Sequence, residues 1–405
     1  MNHAYAVIGA NFGDEGKGLT TDYLCRNSFD TPLVARCNGG AQAGHTVETA
    51  DGKRHVFGHI GAGTFANANT YLSRQFIVNP YALEKEVAGL QYDMAKMSAH
   101  PACRITLIYD MALNALRELS RGNHRHGSCG LGINETVTRN LAGYTMTLFE
   151  AQTSSLQNLA NKINHIFNEY WKVEFDKIKW QVDETNAKQY LDLFENPNFM
   201  LDAQKLYVLK SINTTEIHKE ESLIIEGAQG LMLDEHMGTF PHVTRSVTGL
   251  PSSILTAYEL LCTEITPVYV TRCYLTRHGA GPLMYEGTPF TNKEVPTDKT
   301  NITGPWQGNF RYAPLDLTML SLMINKDLHR SMNLAKLMGI RINKPQLMIT
   351  CLDQVGDKLL INSNGNLVNT HPDRLASIIS QNIPEVTVKY LSYGPTAADI
   401  KDILK

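Results

Sequence analysis

A run of glycines at the end of the first apolar segment constrains this chain more than any other feature. Residues 4–9 (AYAVIG) read as a buried strand, and residues 19–25 as the start of a helix. Between them lie Gly9, Ala10, Asn11, Phe12, Gly13, Asp14, Glu15, Gly16, Lys17 and Gly18. A glycine-rich turn between strand and helix lets backbone N–H groups approach a phosphate at the helix N-terminus, and a lysine adds charge. The spacing departs from the Walker A motif: six residues separate Gly9 from Gly16, and Gly18 stands where that motif has Ser or Thr. The residues alone therefore leave two readings, a phosphate loop and an ordinary strand–helix turn.

Further short apolar runs lie at 32–37, 105–109, 223–226, 267–272, 346–350 and 386–391. Near-continuous apolar character suits strands covered on both faces, and their alternation with helical patterns predicts an α/β fold with a mainly parallel central sheet. Leu156, Leu159, Ile163, Ile166 and Phe167 follow helical spacing, with Thr153 or Ser154 as the expected cap. Region 151–220 reads as a helical insertion and 281–330 as a loop-rich one. No repeat or linker divides residues 1–405, so a single domain is expected. The net charge of −3 gives no reason to expect a nucleic-acid polymer or an anionic membrane as partner. The seven cysteines contain no C-x-x-C pair and the first residues resemble no signal peptide, so a reduced cytoplasmic setting is expected. No apolar run approaches the roughly 20 residues that span a bilayer.

A second small-residue turn follows the 32–37 strand: Gly39, Gly40, Ala41, Gln42, Ala43, Gly44, His45 and Thr46. A histidine there, beside a phosphate loop, is a potential acid or base. The two turns together resemble the adenylosuccinate synthetase family, whose usual versions are close to GDEGKG and GGxNAGHT. The resemblance continues through residues 226–230 (EGAQG), 238–244 (GTFPHVT) and 274–282 (YLTRHGAGP), in family order.

That resemblance implies a phosphate-loop fold with helical and loop insertions, and a ligase joining L-aspartate to carbon 6 of a 6-oxopurine nucleoside monophosphate. A nucleoside triphosphate phosphorylates the 6-oxygen, making it a leaving group for the aspartate amine. By resemblance Asp14 is the base on the ring N–H, His45 the donor to the phosphoryl and 6-oxygens, and Lys17 a phosphate contact. The triphosphate would lie on Gly13, Asp14, Glu15, Gly16, Lys17, Gly18, Gly44, His45, Thr46, Gly394 and Pro395. Asp353 would accept the N–H donors of a guanine, although Cys351 replaces the lysine that usually follows the Thr of that T-K-L-D segment; the donor is GTP or ATP. Mg²⁺ would bind Asp14 and the Gly44 carbonyl. The monophosphate would contact Gln42, Ser128, Cys129, Gly130, Gln229, Thr244 and Arg277, with Arg139 lent across a homodimer interface.

Three departures surround the substrates. Gln42 replaces the asparagine of NAGHT. Residues 128–135 read SCGLGINE where TTGRGIGP is usual, so Leu131 replaces an arginine. The usual aspartate loop, TTGRxRR, becomes 300–311 (TNITGPWQGNFR), which leaves Arg311 with Asn301 and Thr303. These altered loops resemble a phage branch that acts on dGMP to make the 2-amino analogue of deoxyadenylosuccinate, which would place the protein in a host cytoplasm. Asp14, often smaller in that branch, points instead to IMP. Rival readings are a triphosphatase or kinase acting without aspartate, and a nucleotide-binding regulator without turnover. The His55/His59 pair reads as structural, and the basic run 121–126 as a loop over phosphates.

Overall fold

The computed structural model describes residues 2–405 except 123, 124, 126, 216–221, 297 and 299–307. Asn301 and Thr303 therefore lie outside the described residues. Ten strands make the main sheet, in the order Ile400–Asp402, Thr387–Ser392, Gln346–Thr350, Glu264–Arg272, His3–Gly9, Leu223–Gly230, Leu33–Arg36, Asn69–Leu72 and Met97–Ala99, with Arg341–Ile342 also paired to Glu264–Arg272. Its pairings are parallel, apart from the antiparallel contact between Thr387–Ser392 and Ile400–Asp402. This is the mainly parallel α/β sheet expected from the sequence.

Both faces of the sheet are covered, which is why its strands read as apolar runs. From His3–Gly9, Ala4, Ala6 and Ile8 enter one core with helices Leu250–Glu259, Leu317–Met338 and Leu375–Asn382. Val7 faces the other way, onto Leu19, Leu24 and Cys25 of helix Lys17–Arg26. The Leu223–Gly230 strand lies between His3–Gly9 and Leu33–Arg36, so the two glycine-rich turns flank its carboxyl end. Open parallel sheets bind ligands at such a place. The register passes from Val7↔Glu226 to Gly9↔Gly230, so the strand bulges over 227–229, where Gln229 takes φ +65°.

Within the 151–220 region the described residues form helices Leu156–Ile166, Lys172–Ile178, Glu184–Glu195 and Phe199–Lys205. Leu159, Ile163, Ile166 and Phe167 are buried, as their spacing predicts. The cap is Ser155, not Thr153 or Ser154: its side chain accepts from the Asn158 N–H at 3.2 Å. Two other expectations differ. The run at 105–109 supplies only the short strand Arg104–Ile105, because Asp110 accepts from the Leu107 N–H at 3.0 Å and starts helix Ile108–Ser120. Region 281–330 is not loop throughout: strand Phe310–Asp316 and the 22-residue helix Leu317–Met338 take up its last part. Leu317, Leu320, Met323, Ile324, Asp327, Ser331 and Ala335 form that helix's buried stripe, at the i, i+3, i+4 spacing of one face.

Arg139 is fully buried and occupied, which corrects its assignment to a neighbouring subunit's site. Its Nε and Nη2 donate to Asp110 Oδ1 and Oδ2, both at 2.9 Å, and its remaining donors meet the Tyr144 and Ile105 carbonyls at 2.6 and 2.8 Å. The guanidinium packs 5.3 Å from the Trp171 ring, whose Nε1–H also donates to Asp110 at 2.9 Å. Asp110 thus ties the inserted helices to the sheet domain's edge. Removing one partner strands a buried charge, so Asp110→Ala is expected to destabilise by about 3–5 kcal/mol. Urea denaturation checks this; a midpoint equal to wild type would contradict the assignment.

Candidate active site

The phosphate turn is built around one internal carboxylate. Glu15 Oε1 accepts from the N–H groups of Asn11 (3.0 Å) and Gly13 (2.8 Å), and Oε2 accepts from Lys17 Nζ at 2.7 Å. Glu15 and Lys17 side chains are only 2% and 3% exposed. Glu15 therefore shapes the turn from within, and two of its amides are already occupied. Gly9 has no room for a side chain: a Cβ would stand 2.4 Å from Glu15 Oε2 and 2.6 Å from the Gln229 carbonyl. Gly18 answers the departure from the Walker pattern, since a Cβ there would meet the Thr46 carbonyl at 2.7 Å. The second turn packs directly on that glycine.

Two cavities of about 510 and 380 Å³ open on either side of these turns, and both are lined by Asp14, Lys17, Gly44 and His45. The first cavity adds Gln42, Ser128, Cys129, Gln229, Thr244 and Arg277. The second adds Glu15, Gly16, Gly18, Thr46, Cys351, Asp353, Gly394 and Pro395. Gly13 lines the first cavity, not the second. Gly130 turns the chain with φ +76° and lines neither cavity. Arg139 is remote from both.

His45 is held by a residue that the sequence reading left unassigned. Its Nδ1 lies 2.6 Å from Glu226 Oε1, and Glu226 Oε2 accepts from the Ala62 N–H at 3.1 Å. Arg36, fully buried on the neighbouring strand, brings Nε to 3.6 Å from Glu226. Burial opposes the charge on Glu226, but His45 and Arg36 more than offset it and hold its carboxyl below the usual range. Burial is also the main influence on His45, lowering its pKa to about 4 despite Glu226. The ring is therefore neutral, its proton on Nδ1 toward Glu226, and Nε2 presents a buried lone pair without a partner among the described residues. Nε2 becomes a donor only when the ring is protonated. The signal for Glu226 was its place at the head of the EGAQG run, next to a loop histidine.

Asp14 takes φ +60°, and its carbonyl accepts from Arg272 Nε at 2.6 Å. Burial raises its carboxyl above the ordinary range, against the pull of Arg272 and Lys17. A more basic carboxylate is a better proton acceptor. Arg272, another residue missed from the sequence, ends the strand beside the phosphate turn and also donates to Asp298 at 3.1 Å. Gln42, which lines the first cavity, has both amide ends buried without partners among the described residues. Asn114 donates to Ser128 at 2.9 Å. Arg277 donates to the carbonyls of Ala280, Pro282 and His242 and stacks 4.5 Å from Phe12, so it shapes the cavity wall.

Arg311 lines neither cavity; it pairs with Glu286 at 2.8 Å and donates to the Gly279 and Gly281 carbonyls. His55 and His59 both approach Glu86, whose carboxylate accepts from the N–H groups of Gly58, His59 and Ile60. Arg121 pairs with Glu118 at 2.7 Å on the wall of the first cavity. Among the described residues no helix is long and apolar enough to cross a membrane.

A family model described as adenylosuccinate synthetase matches residues 6–337. The adenylosuccinate synthetase of Limosilactobacillus reuteri is 32% identical over 295 residues, 70% of this chain and 64% of that protein. That of Lactobacillus acidophilus is 30% identical over 316 residues, 74% of this chain and 70% of that protein. The match thus spans just under two thirds of the Limosilactobacillus relative. In solved structures, the fully ligated adenylosuccinate synthetase of Plasmodium falciparum is similar with a TM-score of 0.69, 17% identity and 98% of both chains covered. The succinoaminodeoxyadenylate synthetase of cyanophage S-2L, bound to dGMP and dATP as an energy donor, gives 0.60 at 14% identity, covering 99% of this chain and 95% of that one. At these identities the two likenesses are of fold.

Glu226→Gln keeps the shape of the His45 partner and removes its charge. The His45 imidazole should titrate near pH 4 in the wild type, by NMR, and lower still in the variant. Because the unfolded chain takes up this proton first, at about pH 6.5, stability from a neutral His45 is present above that pH and is lost as pH falls toward 4. A His45 midpoint near 6.5 would contradict the buried arrangement.

Proposed function

The chain belongs to the adenylosuccinate synthetase family, and on that premise we propose that it joins L-aspartate to carbon 6 of a 6-oxopurine nucleoside monophosphate, driven by a nucleoside triphosphate. The observation that carries this reading is the junction of two cavities at Asp14, Lys17, Gly44 and His45. The purine monophosphate occupies the first cavity, against Gln42, Ser128, Cys129, Gln229 and Thr244. The triphosphate, GTP or ATP, occupies the second, with its base toward Asp353, Gly394 and Pro395.

Asp14 takes the proton from the purine ring as the 6-oxygen attacks the γ-phosphate; its raised pKa suits it to that step. The incoming phosphates place negative charge beside His45, and with Glu226 behind it this favours the imidazolium. His45 Nε2 then donates to the phosphoryl and 6-oxygens as charge develops. The aspartate amine displaces phosphate from carbon 6. Mg²⁺ fits the junction: it takes oxygen ligands from one or two carboxylates plus substrate phosphates, and Asp14 and Gly44, whose carbonyl would be the second ligand, line both cavities. When bound it would neutralise phosphate charge during transfer. Aspartate is assigned to the loop that includes Asn301 and Thr303, with Arg311 at its end.

Among monophosphates we favour dGMP. The amide of Gln42 and the carboxylate of Asp14 offer acceptors in the first cavity, and guanine's 2-amino group needs one. The second reading, IMP, is supported by the activity named for the curated relatives. A homodimer in the cytoplasm, host cytoplasm for a phage protein, goes with either substrate.

The test is turnover of purified protein with aspartate, Mg²⁺, ATP or GTP, and IMP, GMP or dGMP, following the succinyl-purine product. For dGMP, kcat/KM is expected to exceed that for IMP by at least about tenfold. Faster turnover of IMP, with GMP equal to dGMP, would replace the dGMP reading by IMP. Asp14→Ala and His45→Ala should each lose roughly 10²- to 10⁴-fold in kcat while remaining folded. Triphosphate hydrolysis that ignores aspartate, or ligand stabilisation without turnover, would sink the ligase reading.

A further inference from the structure

We infer that Arg245 holds the 5′-phosphate of the purine nucleotide in the first cavity, as the guanidinium this chain supplies to its own site; the inference rests on the function proposed above. A phosphate dianion in a partly enclosed cavity needs donors and an opposing charge, and arginine meets it with two parallel N–H bonds. Four cationic side chains line the first cavity: Lys17, Arg121, Arg245 and Arg277. Lys17 is committed to Glu15 at 2.7 Å, and Arg121 to Glu118 at 2.7 Å. Arg277 donates to three carbonyls. Arg245 alone of the four has no partner among the described residues, and its Nε is buried without an acceptor.

The surroundings make that vacancy of partners meaningful. Asp14, Glu118 and Glu135 line the same cavity, so its other charges do not favour an anion. Leu131 stands where the resembled motif has arginine, and Arg139 is sealed against Asp110. Two cations expected at the phosphate end are therefore absent from it. Arg245 follows Thr244, whose side chain lines the same cavity. The loop that carries it is anchored on both sides. The Thr244 N–H donates to the Leu233 carbonyl at 2.8 Å, and Ser246 Oγ accepts from Asn38 Nδ2 at 2.7 Å. A guanidinium on a fixed stalk, beside a hydroxyl, suits a phosphomonoester.

Calorimetric titration of the full chain with dGMP, IMP and the nucleoside deoxyguanosine, without triphosphate, tests this. Arg245→Gln should weaken the preferred monophosphate at least about tenfold and leave the nucleoside within about twofold, because only the phosphate contact is lost. Arg245→Lys should fall between, keeping charge without the paired geometry, and serves as the readout if the glutamine variant does not fold. In turnover, KM for the monophosphate should rise with kcat little changed. Monophosphate affinity at wild-type level in both variants, or equal losses for monophosphate and nucleoside, would overturn the assignment while the ligase reading stands. A wild type that binds neither dGMP nor IMP would overturn the ligase reading, and this assignment with it.

Discussion

The site depends on a buried carboxylate, Glu226, placed between a fixed cation and a histidine. Arg36 and Glu226 face each other on adjacent parallel strands, and neither is exposed. A lone buried carboxylate would take up a proton; Arg36 and His45 keep this one ionised. The ionised carboxylate in turn fixes the tautomer of His45, which lines both cavities. Arg36 also reaches the Ala43 carbonyl at 3.3 Å, in the turn that carries His45. Charge balance inside the sheet and the position of His45 are therefore one arrangement.

The phosphate turn follows similar logic with a different carboxylate. Glu15 satisfies two of the turn's N–H groups and Lys17, so the turn is braced from within by its own side chain. Its shape forbids side chains at Gly9, where Glu15 itself stands, and at Gly18, where the second turn approaches. A Ser or Thr at that position would displace the His45 turn. The departure from Walker spacing is thus a consequence of two turns packing on one another.

Arg139 shows how far a residue's role depends on its burial. From sequence it was an arginine of the right type near a substrate turn. In the structure Asp110 and two carbonyls take up its donors, the Trp171 ring packs on its guanidinium, and it secures the inserted helices. Arg245 is the reverse case: an arginine directly after a recognised stretch, unremarked in sequence, that lines a cavity without a partner among the described residues.

The sequence by itself determined the α/β class, six of the sheet's parallel strands, and the two glycine turns, because apolar runs and glycine clusters report local needs: burial on both faces, and backbone that cannot carry a Cβ. It also determined that Asp14, Lys17 and His45 lie in those turns. It misread 105–109 as strand and the last part of 281–330 as loop, since a cap by Asp110 and a helix packed under the sheet are settled by distant partners. Only the tertiary structure decided which charged residues are committed to one another. Glu226 and Glu15 became supports, Arg139 became a buried pair and Arg245 was left open. An ion pair between residues such as Arg36 and Glu226 exists only once two strands far apart in the chain lie side by side.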